Sequence, residues 1–203
     1  LKKVWLQVKQ MPVLRRFLYA FFWYSAGIQT VFLASAQFGA KELRLPIDKL
    51  IITIMIIQLV AIPGAILISR ISEKFGNIKT IMAVTLIWIG VCGAAYFIHT
   101  GIQFYLLAAV VGLIMGGIQS VSRSTYANLM PKTKDTASFF SFFDATEKIA
   151  LVIGMFSFGY VEELTGSMRN SILALMLFFI LGFLFLGWTL RSATAIKNKL
   201  HLN

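Results

Sequence analysis

The sequence predicts an all-α membrane protein with six transmembrane helices, and three observations predict it. Hydrophobic residues make up 58% of the 203-residue chain and charged ones only 13%, too few polar side chains to cover a globular surface. Stretches free of Asp, Glu, Lys and Arg cover residues 17–40, 50–69 and 170–190, and a longer one runs through residues 80–122. A bilayer core needs about 20 apolar residues per helix, so the longer stretch suffices for two crossings. Finally, the cations gather on alternate connections, as they do when a chain weaves through a membrane.

The chain opens on a basic segment, Lys2, Lys3, Lys9, Arg15 and Arg16. It is not a signal peptide, because the apolar run behind it is too long for an h-region and no cleavage site follows. An opening at Leu1 rather than Met leads us to expect a piece of a longer polypeptide. The first span, about 17–40, carries Gln29 and Thr30 near its middle and Ser25 one turn earlier. Such groups either hydrogen-bond between helices, at about 0.6 kcal/mol each on average in membranes, or line a cavity. Lys41 to Asp48, of mixed charge and with Pro46, reads as a solvated loop. The second span, about 49–70, holds one amide, Gln58, followed by Pro63 and Gly64. A proline there removes a backbone donor and kinks the helix, which serves either as a hinge or as a packing bend.

The third span, about 79–98, is apolar from Thr80 to Ile98, and the His99-Thr100-Gly101 stretch is the turn behind it. Its Cys92, the single cysteine, reads as a small buried hydrophobe and can form no internal disulfide. Neither His99 nor His201 has partners at metal-ligand spacing, so no metal and no cofactor is expected. In the fourth span, about 102–123, Gly112 and Gly116 are four apart and Gly117 follows. That small-xxx-small spacing lets two backbones approach. Gln119 and Ser122 come next, and Arg123 closes the span, either snorkelling to the surface or meeting Asp144 or Glu147.

The fifth span, about 138–162, is the most polar, with Asp144, Glu147 and Lys148 inside it. A charge near the centre of a membrane helix costs about 2.5–3.5 kcal/mol on insertion scales, so these groups face protein or a wet cavity. Asp144 and Lys148 are four apart and could pair along the helix; alternatively Lys148 lines the cavity and a carboxylate is free to take a proton. The sixth span, about 170–191, is dense in Leu and Phe and, like the third, is expected to face lipid. Glu73, Gly76 and Lys79 after the second span share their spacing with Glu163, Gly166 and Arg169 after the fifth, as an inverted 3+3 repeat predicts.

With the N-terminus cytoplasmic, six crossings place fourteen of the nineteen cations inside, which satisfies the positive-inside rule with both termini of this segment cytoplasmic. The net charge of +11 therefore calls for no nucleic acid. No Ser/His/Asp set, metal cluster or phosphate loop is present, so no enzyme is expected.

Several of these residues carry a family resemblance. Gly116, Gly117, Gln119, Ser122, Arg123 and Ser124 form a G-G-x-Q-x-x-S-R-S pattern. With Lys148 in the fifth span, Gly27, Gln29 and Thr30 in the first, and Gln58 and Pro63 in the second, the chain resembles the C-terminal half of the major facilitator superfamily. More narrowly it resembles the unknown-major-facilitator branch related to the vacuolar amino-acid effluxer of autophagy. The acidic residue that often precedes the first-helix glycine in that branch is Ala26 here. The resemblance implies that residues 1–203 are the C-terminal transmembrane domain of a twelve-helix transporter. It further implies a small-molecule substrate, amino acids among the candidates, moved by secondary active transport through alternating access. The implied partners are the lipid bilayer, the N-terminal six-helix half of the same polypeptide and a coupling proton. The expected location is a bacterial inner (cytoplasmic) membrane. The alternative is a six-helix scaffold or assembly protein that transports nothing and whose polar groups only hold helices together.

Overall fold

The computed structural model describes residues 2–133 and 135–200, with side chains over 3–133 and 135–194. Lys134 and His201, and the side chains of Lys2, Lys197 and Lys199, lie outside the described residues. The elements are all helices: α1 (Lys2–Gln10), α2 (Pro12–Lys41), α3 (Ile47–Phe75), α4 (Asn77–Tyr96), α5 (Gly101–Leu129), α6 (Thr136–Thr165) and α7 (Met168–Leu200). Three of the six long helices, α2, α5 and α6, start from a local signal. Pro12 holds Met11 in an extended conformation and supplies the first residue of α2, because proline disfavours helical backbone before it and suits a helix N-terminus. Thr100 and Gln103 form a capping box on α5, and Asp135 accepts from the Ser138 N–H to start α6. Gly76 and Gly166 end α3 and α6 with positive φ, +91° and +65°, backbone that glycine adopts without a Cβ penalty.

α1 was not foreseen from the basic lead-in. It is a short amphipathic helix whose Val4 and Val8 are buried, and its Trp5 ring stacks on Phe142 of α6 at 6.0 Å.

α3 lies on α5, α6 on α2, and α7 on both α2 and α4, while α4 also packs on α5. The closest approaches occur where side chains are missing. A methyl group at Gly64 would lie 2.6 Å from the Leu113 Cα, and at Gly112 or Gly116 it would lie 3.0 Å from the Ile57 or Ala61 Cα. Gly117 faces the Ile68 side chain across the same seam, and Gly154 of α6 approaches the Ala26 carbonyl of α2. Pro63 does not interrupt α3, which stays helical from end to end. The α4–α7 seam is filled by Trp88 stacked on Phe179 at 5.4 Å.

Among the described residues five helices, α2 to α5 and α7, are long and apolar enough to cross a membrane. α6 has the length, at 30 residues, but Asp144, Glu147, Lys148, Glu162 and Glu163 interrupt its apolar sequence. Large apolar side chains face outward on α3 (Ile51, Leu59, Ile62) and on α6 (Val152, Phe156). A water-soluble monomer rarely exposes such continuous faces. The bundle is an integral, multi-pass membrane protein.

The two ends of the bundle differ. At the end away from α1, Arg169 pairs with Glu42 at 3.1 Å and donates to the carbonyls of Tyr96 and Ile98, tying α2, α4 and α7 together. Lys41 pairs with Glu162 at 2.9 Å and ties α2 to α6.

Candidate functional site

Toward the α1 end, α2, α5 and α6 enclose a cavity of about 210 Å³. Three helices supply its walls because their polar residues recur at helical spacing. Ser25 and Gln29 are one turn apart on α2, Gln119 and Arg123 one turn apart on α5, and Glu147 one turn after Phe143 on α6. Aromatic rings close the floor, with Phe21 stacked on Phe143 at 4.0 Å.

Hydrogen bonds fix most of the polar groups. The Tyr24 hydroxyl and Ser122 Oγ, both buried, lie 2.8 Å apart and join α2 to α5. Gln29 Nε2 donates to Glu147 Oε1 at 2.6 Å and joins α2 to α6. Arg123 donates to Asp144 Oδ1 at 2.8 Å, and its guanidinium lies over the Phe143 ring at 5.7 Å. The Arg123–Asp144 pair is half-exposed on both sides, 55% and 47%. A pair so exposed holds by only about 0–1 kcal/mol, so Arg123 can exchange Asp144 for another anion at little cost. Glu147 and Arg123 therefore present a fixed acceptor and a releasable cation to one space, with the Gln119 amide beside them.

Of the residues expected to line a cavity, Gln29, Gln119, Ser122 and Arg123 do line this one. Thr30, Gln58, Asp144 and Lys148 stand off it. Thr30 is wholly buried at the α2–α6 contact, where its hydroxyl finds no partner. It follows Gln29 by one residue, about 100° around the helix. Lys148 is turned from Glu147 by the same angle, onto the exposed ridge of α6, and Gln58 is exposed on α3. Asp144 reaches the site only through Arg123. Its pairing with Arg123 at 2.8 Å replaces the intrahelical Asp144–Lys148 pair considered from spacing. Pro63 and Gly64 lie on α3, and Gly64, Gly112, Gly116 and Gly117 belong to the α3–α5 seam rather than to the cavity.

Sequence reasoning missed Tyr24 altogether and offered Glu147 as a partner for Asp144 or Arg123, or as one of the carboxylates free to take a proton, without placing it on a cavity wall. The signal for Tyr24 was its place with Phe21, Ser25 and Ile28 on one face of α2; for Glu147 it was the isolation of a carboxylate from the nearby lysine by helical phase.

The family model for vacuole effluxer Atg22-like proteins matches residues 1–199. The chain is 31% identical over 182 residues to an uncharacterised MFS-type transporter, YxiO, of Bacillus subtilis, covering 90% of this chain and 42% of the relative. It is 28% identical to autophagy-related protein 22 of Cryptococcus neoformans, over 89% of this chain and 34% of the relative. It is 31% identical to autophagy-related protein 22 of Yarrowia lipolytica, over 86% of this chain and 31% of the relative. The chain thus spans less than half the length of these curated relatives. No solved structure matches it.

Proposed function

The chain belongs to the vacuole effluxer Atg22-like family, and on that premise we propose that it is half of a twelve-helix secondary transporter moving a small polar solute by alternating access. The expectation of a transporter rather than an enzyme agrees with the family's description as an effluxer and with the bacterial relative's as an MFS-type transporter. α6 is the sixth crossing in this proposal, with Glu147 on the cavity wall, Asp144 and Glu162 paired to α5 and α2, and Lys148 turned to the six-helix N-terminal half.

The packing supports an inverted 3+3 repeat. α3 lies on α5 as α6 lies on α2, which is the relation expected when α2, α3 and α4 correspond to α5, α6 and α7. Gly76 and Gly166 close the corresponding helices with positive φ. The asymmetry of cations between the ends supports cytoplasmic termini of this segment, and with a relative in Bacillus subtilis we assign the bundle to a bacterial cytoplasmic membrane.

The observation that carries the reading is the cavity of about 210 Å³ with Glu147 and Arg123 on its wall in an otherwise apolar bundle. A solute with both an ammonium and a carboxylate, such as an amino acid, complements that pair. Glu147, held by an uncharged amide rather than by a cation, is the carboxylate we assign to a coupling proton. Counterflow by the full-length protein in proteoliposomes, run against a panel of amino acids and other metabolites, tests this. Arg123→Ala and Glu147→Gln are expected to lower uptake at least about tenfold, roughly the loss of one charge-assisted hydrogen bond of 1.5–3 kcal/mol. Uptake by both variants at the parental rate would remove the cavity from the transport path.

A further inference from the structure

A second cavity, of about 320 Å³, opens on the outer side of α2, away from the polar site and near α1. Its walls are aromatic: Trp5 of α1, Tyr19, Phe22 and Trp23 of α2, and Phe142 of α6. One rim carries Lys9, whose Nζ lies over the Trp5 ring at 5.6 Å, with the Arg15 guanidinium donating to the Lys9 carbonyl at 3.4 Å. Toward the other rim a chain of rings leads from Tyr19 to Phe185 at 6.0 Å and on to Trp188 at 6.1 Å. The Arg16 guanidinium sits over Trp188 at 4.1 Å.

Among the described residues these cations have no anion. The ion pairs among the described residues involve Lys41, Arg123 and Arg169, and Arg16 Nε is buried without a hydrogen-bond acceptor. The acid of α6 closest to Phe142 in sequence, Asp144, is already taken by Arg123. Lys9 is exposed, whereas Arg16 keeps a buried nitrogen without an acceptor; a buried donor left unpaired is costly, and cation–π contact returns only about 0.5–2 kcal/mol. An apolar groove flanked by unpaired cations at the end of a membrane helix has the chemistry of an anionic lipid: acyl chain for the aromatic wall, phosphate for the rim.

We propose that this groove is a binding site for an anionic phospholipid, its acyl chain against Trp5, Phe22 and Phe142 and its phosphate at the Lys9 rim, with Arg16 the cation of the opposite rim. The inference depends on the bundle lying in a membrane and not on the transport reading. The site makes α1 a lipid-clamped strap across α2 and α6.

The test is native mass spectrometry of the full-length protein in a neutral detergent, titrated with phosphatidylglycerol, with phosphatidylcholine of the same chains, and with glycerol phosphate. The parent is expected to retain phosphatidylglycerol over phosphatidylcholine by at least about fivefold, the scale of one basic side chain at an anionic surface, and to retain no glycerol phosphate. The Lys9→Gln/Arg16→Gln pair should bring the two lipids to parity, whereas Lys74→Gln, an exposed cation at the same end on α3, should keep the preference. Because Lys9 is exposed, Lys9→Gln alone is a folded control that should at least halve the preference. A preference unchanged in Lys9→Gln and in the pair would overturn the proposal. So would glycerol phosphate binding as well as the lipid.

Discussion

Glu147 and Lys148 are neighbours in the chain and opposites in the molecule. One accepts a 2.6 Å hydrogen bond from Gln29 in the cavity, while the other stands on an exposed ridge. Helical phase alone separates them, since one residue turns the side chain by about 100°. The same rotation parts Gln29 from Thr30, which is buried against α6 without a partner. Because Gln29 and Glu147 share one bond, their substitutions should not add: in the counterflow assay the Gln29→Ala/Glu147→Gln pair is expected to fall short of the summed single effects by about 0.5–3 kcal/mol. Gln29→Ala combined with Gln58→Ala, on a different helix and outside the cavity, should instead add within about 0.5 kcal/mol. Strict additivity in the first pair would show that the bond carries nothing in the transport cycle. Ser122, Arg123 and Gln119 were readable as polar residues in an apolar span, but which of Asp144, Glu147 and Lys148 enters the cavity was not. Asp144, Glu147 and Lys148 lie within about 100° of one another around the helix, and the sequence does not say where α2 and α5 lie.

At the scale of the helices, glycines fall into two kinds that look alike in a sequence. Gly112 and Gly116 bring α5 to the backbone of α3, whereas Gly90 and Gly93 of α4 face nothing within 4 Å. Gly116→Ala should therefore lower the thermal midpoint of the purified protein, since overpacking costs about 1–3 kcal/mol. Gly93→Ala should leave it unchanged or raise it, because alanine favours a helix by about 0.8–1.0 kcal/mol over glycine. Equal shifts for the two would mean that the α3–α5 seam is not as close as described. The four-residue spacing of Gly112 and Gly116 pointed to a seam but not to its partner. α1 shows the reverse case. Its sequence reads as a basic flank, and it becomes an element only because Val4, Trp5 and Val8 find α2 and α6 to cover them; so short a helix is marginal in isolation.

For the molecule as a whole, the cations give the bundle a direction. Lys74 lies at the α1 end and Arg44 at the opposite end, both exposed, and the proposed orientation puts the first inside the cell and the second outside. In intact cells an impermeant maleimide is expected to label Arg44→Cys and spare Lys74→Cys, with little background from the buried Cys92; the reverse pattern would invert the topology. The membrane class, the apolar spans and the basic asymmetry were determined by the sequence alone, because hydrophobic length and charge position are one-dimensional quantities that a bilayer reads directly. Only the tertiary structure decided which face of each helix meets another. It set Glu147 against Gln29, drew Asp144 to Arg123 and away from Lys148, and buried Thr30. Helix-on-helix contact depends on the rotation and approach of separate segments, and in this bundle the approach is set by where Gly64, Gly116 and Gly154 leave room for a neighbouring backbone.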